Sequence, residues 1–143
     1  LVELILAIGL ASMVFIMVGS LMTFVIDRNR ISQKQEVFEQ TKNDLVMEFT
    51  NAVKWAKEVK ITGNELTVDE VEYRLQSEVL ERAGQQMTPN SVKVVNFEVK
   101  DYGKKTGLAS LEIRVGMESQ TVAGLSDELR MVVSQRKLEV TSE

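Results

Sequence analysis

Residues 1–26 read LVELILAIGLASMVFIMVGSLMTFVI, an apolar run whose only charged side chain is Glu3. As an α-helix, the part from Leu4 to Ile26 is about 34 Å long at ~1.5 Å per residue, which is enough to cross a hydrocarbon core of ~30 Å. A charged side chain inside such a segment costs on the order of a few kcal/mol. The run therefore predicts a transmembrane helix, and Glu3 is a candidate functional residue that needs a partner.

The apolar run does not fit a cleaved secretory signal peptide. Such a peptide has a basic start, an apolar stretch of roughly 7–15 residues and a cleavage site of small residues. Here the apolar stretch is longer, contains an acid and runs into a polar helical pattern without a break. We therefore expect the run to belong to the mature protein.

Composition narrows the possible chemistry. The chain has 143 residues, a net charge of −4, and neither Cys nor His. Thiol nucleophiles, imidazole bases, disulfides and the usual zinc sites are therefore excluded. The acidic balance is also atypical of a nucleic-acid binder. We expect one modest domain on one anchor, with no cofactor, no metal and no catalytic activity.

Residues 27–62 predict a second, amphipathic half of the same helix. No Pro or Gly interrupts them, and the apolar positions recur at helical steps of three, four or seven. This pattern predicts a helix that reaches about Val59 and buries one stripe under a sheet. Gly63-Asn64 either stops the helix or forms a turn. The stripe contains Ile31, Phe38, Leu45, Phe49, Ala52 or Val53, Ala56 and Val59.

Residues 63–143 change to period-two alternation, which indicates strands. The alternating apolar sets are Val71, Tyr73 and Leu75; Val95, Phe97 and Val99; Leu111, Ile113, Val115 and Met117; and Leu129, Met131 and Val133. The turn-forming clusters are Ala83-Gly84, Thr88-Pro89-Asn90, Gly103-Lys104-Lys105 and Ala123-Gly124. The prediction is an α+β fold in which one long N-terminal helix packs on a C-terminal antiparallel β-sheet, a meander with its other face in water.

The stretch Leu1-Val2-Glu3-Leu4-Ile5-Leu6-Ala7-Ile8-Gly9 resembles the N-terminal methylation motif of type IV pilins and of the pseudopilins of type II secretion. In that family a prepilin peptidase removes a short leader, the new N-terminal residue is methylated, and an inner-membrane platform assembles the subunits. Two residues usually separate the cleavage point from the Leu-Val-Glu stretch, so we expect two mature residues ahead of Leu1.

The resemblance implies roles for residues of the apolar run. Glu3 is expected to pair with the N-terminal amine of a neighbouring subunit, which lowers the desolvation cost of a buried acid and favours the correct register. The alternative is an acid that faces lipid headgroups. Gly19 and Ser20 lie where family members often carry a helix breaker and are candidates for helix flexibility in the filament. Candidates for close helix packing are Ala7, Gly9, Ala11 and Ser12, with ordinary transmembrane composition as the open alternative.

Three further features admit functional interpretations, each with a plainer alternative. Asp127 and Glu128 are expected in a loop before the last strand, where a solvated loop is favoured over a calcium site. Lys104 and Lys105, at a predicted hairpin tip, are more typical of a solubilising turn than of a DNA contact. Trp55 lies off the apolar stripe, and either covers an edge of the domain or contacts a neighbouring subunit.

We therefore predict a structural subunit of a type IV pilus-like filament. It is expected in the cytoplasmic membrane before assembly and in a cell-surface filament afterwards, with copies of itself and other pilins as partners. A pseudopilin of a type II secretion or DNA-uptake machine is the nearest alternative. A monomeric, membrane-anchored extracytoplasmic binding domain is the alternative from another class.

Overall fold

A computed structural model describes residues 1–103 and 109–136. The chain divides into two units, Leu1–Glu36 and Val37–Glu143, and we call the second the globular unit. The elements, in chain order, are α1 Val2–Lys54, β1 Val59–Thr62, β2 Glu65–Val68, β3 Val71–Gln76, β4 Val79–Arg82, β5 Gln85–Gln86, β6 Val92–Asp101, β7 Ser110–Ser119 and β8 Ser126–Ser134.

The predicted α+β class is confirmed: one long N-terminal helix packs on antiparallel sheet. The sheet differs in one respect from the predicted single meander, because it is divided in two. Strands β1 to β5 form a five-stranded sheet in sequence order, and β6 to β8 form a three-stranded sheet. Each sheet is a meander, so every pair of neighbouring strands is adjacent in sequence.

Helix α1 ends at Lys54, and the predicted extension to about Val59 is wrong. Val59–Thr62, at the end of the segment predicted to be the amphipathic half of the helix, instead form β1, which pairs with β2 through the turn at Gly63-Asn64. The predicted boundary at residue 62 therefore falls at the end of a strand.

Contacts with distant residues account for the early end of the helix. The amide N–H groups of Lys57 and Glu58 both donate to Oδ1 of Asp69, at 2.8 Å each. In a longer helix these groups would donate to carbonyls four residues earlier. The carbonyl oxygen of Lys54 in turn accepts from the amide of Arg136 at 3.0 Å. Satisfying these end groups outside the helix makes its termination favourable.

Three two-residue turns connect the strands from β2 to β5. Asp69-Glu70, Ser77-Glu78 and Ala83-Gly84 each have positive φ at both central residues. This is the pattern of type I′ turns, whose twist matches the right-handed twist of the strands that they join. The turn expected at Ala83-Gly84 is thus confirmed, and β4 and β5, which the alternation pattern did not reveal, lie on either side of it.

The three-stranded sheet contains a bulge in β6. Val94 pairs with Met117 and Asn96 pairs with Gly116, so Val95 is left out of the ladder. The extra residue changes the face on which side chains lie. Val95 is consequently exposed, and its predicted place on the inner face is wrong.

One hydrophobic core joins the C-terminal part of α1 to both sheets. Phe49, which is fully buried, has its ring centroid 5.2 Å from that of Tyr73 and 5.8 Å from that of Phe97. The predicted inward set of β7 is confirmed, whereas Ile31 is exposed and lies outside the core. The core residues contributed by α1 and β7 are Phe38, Leu45, Phe49, Val53, Leu111, Ile113, Val115 and Met117.

Candidate helix-packing site

The apolar segment, residues 1–26, leaves its large side chains uncovered. Its most apolar 18-residue stretch has a mean hydropathy of 2.5, and none of it is buried. By length and composition the helix can cross a membrane. Phe15 is 77 % exposed and Ile16 is 71 % exposed. Contact of such apolar side chains with water is unfavourable, so they require lipid or other helices around them.

Glu3 lies in the first turn of α1. Within the part of the chain that the structure describes, its carboxylate has no hydrogen bond and no ion pair. The neighbouring side chains Leu4 and Leu6 are apolar and exposed. A medium that covers these leucines also removes water from the acid, so the acid then requires a cation or a proton.

The helix places Glu3, Ala7 and Ala11 on one face, because residues four apart are neighbours on a helical surface. Small side chains next to the acid allow another helix to come close at this level. Two of the four predicted packing residues, Ala7 and Ala11, therefore share a face with Glu3.

The other two packing residues lie on a second face. At 100° per residue, Gly9 and Ser12 lie within about 60° of each other and roughly 120–180° from Glu3, on the same side as Gly19 and Ser20. The apolar segment thus has two faces of small residues, which suits a helix that contacts more than one neighbour.

The hydroxyl groups of this second face are satisfied within the helix. Ser12 donates to the carbonyl of Gly9 at 2.8 Å, and Ser20 donates to that of Met17 at 2.8 Å. Thr23 donates to the carbonyl of Ser20 at 2.9 Å. Such bonds let hydroxyls enter a dry environment without an unmet donor. The helix continues without a break through Gly19 and Ser20, and their flexibility in a filament stays a prediction.

The globular unit contains a covered carboxylate that the alternation pattern did not reveal. Glu112, on β7, is 1 % exposed although it alternates with the inward Leu111 and Ile113. Arg114 lies two residues along the same strand, whereas strand register brings Tyr102 and Arg130 from other segments, so local sequence indicates only part of this cluster.

Three donors surround the Glu112 carboxylate. The Tyr102 hydroxyl donates to Oε2 at 2.7 Å, Arg114 Nε donates to Oε1 at 2.9 Å, and Arg130 Nε also donates to Oε1. The Tyr102 hydrogen bond, opposed by burial and reinforced by the two arginines, lowers the pKa of Glu112 to about 2. A carboxylate that accepts hydrogen bonds from three side chains holds those side chains together and is a poor proton acceptor.

The expected loop position of Asp127 and Glu128 is wrong, because both residues lie within β8. Asp127 pairs with Lys42 of α1 at 2.5 Å, and the hydrogen bond from Lys42 lowers the pKa of the carboxyl. Across residues 1–103 and 109–136, no three Asp or Glu side chains cluster as a metal site requires. The Lys104-Lys105 pair lies outside the described residues.

Trp55 follows the last residue of α1 and is 49 % exposed. Lys54 Nζ lies 5.4 Å from its ring centroid and Arg136 Cζ lies 5.8 Å from it. These distances are typical of cation–π contacts. Trp55 therefore covers the junction between the helix end and the segment that follows β8, and still presents about half of its surface.

The globular unit also has a groove of about 860 Å³ between α1 and the β4–β5 hairpin. Thr88 lines it and is 2 % exposed, yet its Oγ1 has no hydrogen-bond partner among the described residues. Buried polar atoms of this kind are rare and call for a partner. The groove lining is Val37, Gln40, Thr41, Asp44, Leu45, Glu48, Arg82, Gln85, Gln86, Met87, Thr88, Pro89 and Asn90.

Comparison of the chain with protein-family models, with curated protein sequences and with solved structures gives no significant match. The resemblance to pilins therefore rests on the residues of the N-terminal motif, on the apolar helix that carries them, and on the order of one helix followed by antiparallel strands.

Proposed function

We propose that this chain is a structural subunit of a type IV pilus-like filament. The observation that supports this most directly is the combination of an uncovered apolar helix with one acid, Glu3, in its first turn. In this proposal the protein resides in the cytoplasmic membrane before assembly. A prepilin peptidase processes it, and an inner-membrane platform moves it into a surface filament.

The apolar segment supplies the driving force for this route. Its side chains must be covered, either by lipid or by the apolar segments of other copies. Because lipid tails are as apolar as leucine side chains, transfer from bilayer to helix bundle depends on close packing and polar pairing more than on hydrophobicity. The small residues on both faces, among them Ala7 and Gly9, favour such packing.

Glu3 supplies the specificity of assembly. Its carboxylate has no partner in one copy within the described chain, so a bundle that excludes water disfavours it unless a cation arrives from a neighbour. The family resemblance suggests the N-terminal amine of the next subunit as that cation. An incorrect axial register leaves both charges unpaired, which is costly in a dry bundle.

The globular unit then forms the outer surface of the filament. Its aromatic core and the Lys42–Asp127 pair hold the sheets on the C-terminal part of α1. Because these contacts are independent of the apolar segment, we expect the unit to keep its fold during the transfer from membrane to filament.

The test is electron microscopy of sheared surface material from cells that produce this chain behind a prepilin leader. Mass spectrometry identifies the subunits in the fibres. Glu3→Ala is compared with wild type and with Glu36→Ala, a matched control that removes an exposed glutamate from the same helix. We expect fibres from wild type and from the control, and loss of fibres with Glu3→Ala.

Two results would contradict the proposal. If all three proteins remain in the membrane fraction as monomers, the chain is an anchored domain that does not polymerise. If Glu3→Ala forms as many fibres as wild type, Glu3 has no role in assembly. Short fibres confined to the periplasm, with the same dependence on Glu3, would identify a pseudopilin.

A further inference from the structure

We infer that the groove between α1 and the β4–β5 hairpin receives Arg30 and Lys34 from the helix of a second copy of this chain. The inference rests on the proposed function, because filament assembly is what brings a second copy close. It adds to that function a named pair of surfaces, one acidic and one basic, that set the contact between neighbours.

Asp44 is the unpaired acid of the groove. Glu48, the other acid, already pairs with Arg82 at 3.3 Å and accepts a hydrogen bond from Tyr73 at 2.8 Å. In the part of the chain that the structure describes, Asp44 has no ion pair, and its side chain is exposed at the groove wall. The groove therefore has one net negative charge, which favours a cationic occupant and disfavours an anionic one.

Ammonium and guanidinium groups suit the exposed Asp44 carboxylate. Both groups are donors only and carry several N–H bonds each. One such group can therefore make more than one charge-assisted hydrogen bond to Asp44, whereas an anionic occupant cannot.

The apolar floor limits the occupants further. Leu45, Met87 and Pro89 also line the groove. The long methylene stems of lysine and arginine pack on apolar surface of this kind while their charged ends stay at polar groups. A bare metal ion would gain little here, because no cluster of three acids exists across residues 1–103 and 109–136.

The exposed cations of α1 match this requirement. Arg30 and Lys34 are four residues apart and so share one face of the helix. Neither has an ion pair with any described residue of its own copy. Arg28 is a poorer candidate, because its guanidinium already lies 5.2 Å from the Phe24 ring centroid. Both complementary surfaces are thus unpaired in one copy.

The first test is cross-linking in fibres. The chain contains no cysteine, so a thiol-specific bismaleimide joins only engineered positions. One tagged chain carries Arg30→Cys, a second carries Asp44→Cys, and both are co-expressed with an excess of wild type. We expect a cross-linked heterodimer at least about tenfold more abundant than that from Arg30→Cys with Lys60→Cys, an exposed control position in β1.

The second test exchanges the charges. Asp44→Lys alone, or Arg30→Glu with Lys34→Glu, is expected to lower the fibre yield about tenfold, because each places like charges together. The combined three-residue variant restores opposite charges and is expected to recover the yield to within about threefold. Lys100→Glu, an exposed reversal on β6, serves as the control and leaves the yield unchanged.

The outcomes separate this inference from the proposed function. If fibres depend on Glu3 while the reversals at Asp44 and Arg30 do not change their yield, the inference is wrong and the filament function stands. Equal cross-linking at the control position also overturns it. If wild type forms no fibres, both this inference and the proposed filament function are wrong. Near-ultraviolet circular dichroism checks that each variant is folded. We expect folded variants, because an exposed helix position such as Asp44 tolerates lysine.

Discussion

Replacement of Phe49 by Ala is expected to destabilise the globular unit more than any other single truncation in α1. The Phe49 side chain is fully buried and lies between two aromatic rings, with centroid separations of 5.2 Å to Tyr73 and 5.8 Å to Phe97. Its removal leaves a cavity where the helix meets both sheets. Because the neighbouring rings belong to different strands, the cavity cannot collapse by movement of one element.

The size of the effect follows from burial. Phe→Ala in a core typically costs about 3–5 kcal/mol, which combines lost transfer free energy with the cavity left behind. A unit of roughly 100 residues has a total stability of about 5–15 kcal/mol. A loss of 3 kcal/mol lowers the melting temperature by about 12 °C or more, at ~4–8 °C for each kcal/mol.

The assay is thermal unfolding of the full chain in detergent micelles, followed by near-ultraviolet circular dichroism and by the fluorescence of Trp55, the single tryptophan. Phe15→Ala is the matched control, because Phe15 is 77 % exposed in the apolar segment and its loss leaves the globular core intact. A shift below about 5 °C for Phe49→Ala, or an equal shift for both variants, would contradict the central place of Phe49 in the core.

Three further predictions concern the sheets. Glu112→Gln is expected to lower the free energy of unfolding at pH 7, because the pKa of Glu112 is depressed in the folded state from 4.5 to about 2. Wild type loses this extra stability as the pH falls from about 4.5 to 2. Urea midpoints measured over that range are expected to show the difference between wild type and variant becoming smaller. Tyr73→Phe removes the hydroxyl that donates to Glu48 at 2.8 Å and is expected to cost about 0.5–1.5 kcal/mol in urea unfolding, with no change contradicting a contribution of that bond. Glu70→Gly relieves a positive φ of 73° in the β2–β3 turn and is expected to raise the free energy of unfolding, measured with urea, by about 0.5–1 kcal/mol, whereas Glu72→Gly in β3 lowers it.

Local patterns predicted the parts of the fold that depend on local physics. The apolar segment was predictable because length and hydropathy belong to the residues themselves, and the stripe of Phe38, Leu45 and Phe49 was predictable because a helix repeats every 3.6 residues. Alternation in β7 correctly placed Leu111 and Ile113 inside. The candidate site in the apolar segment was likewise visible, since one acid in an apolar run is a local signal.

Other features depended on residues far apart in the chain. The helix was expected to continue past Lys54, but Asp69 accepts the amides that would extend it, and nothing between residues 54 and 59 indicates this. Val95 was expected inside, but the pairing of β6 with β7 inserts a bulge there.

Composition and periodicity of neighbouring residues are enough to predict a membrane-length apolar helix with one acid near its start, followed by an amphipathic helix and alternating strands. Where the helix ends, how the strands divide into two sheets, and that Glu112 is buried while Asp44 is unpaired among the described residues emerge only in the folded chain. Those outcomes depend on strand register and on end groups contributed by distant segments, which local pattern does not encode.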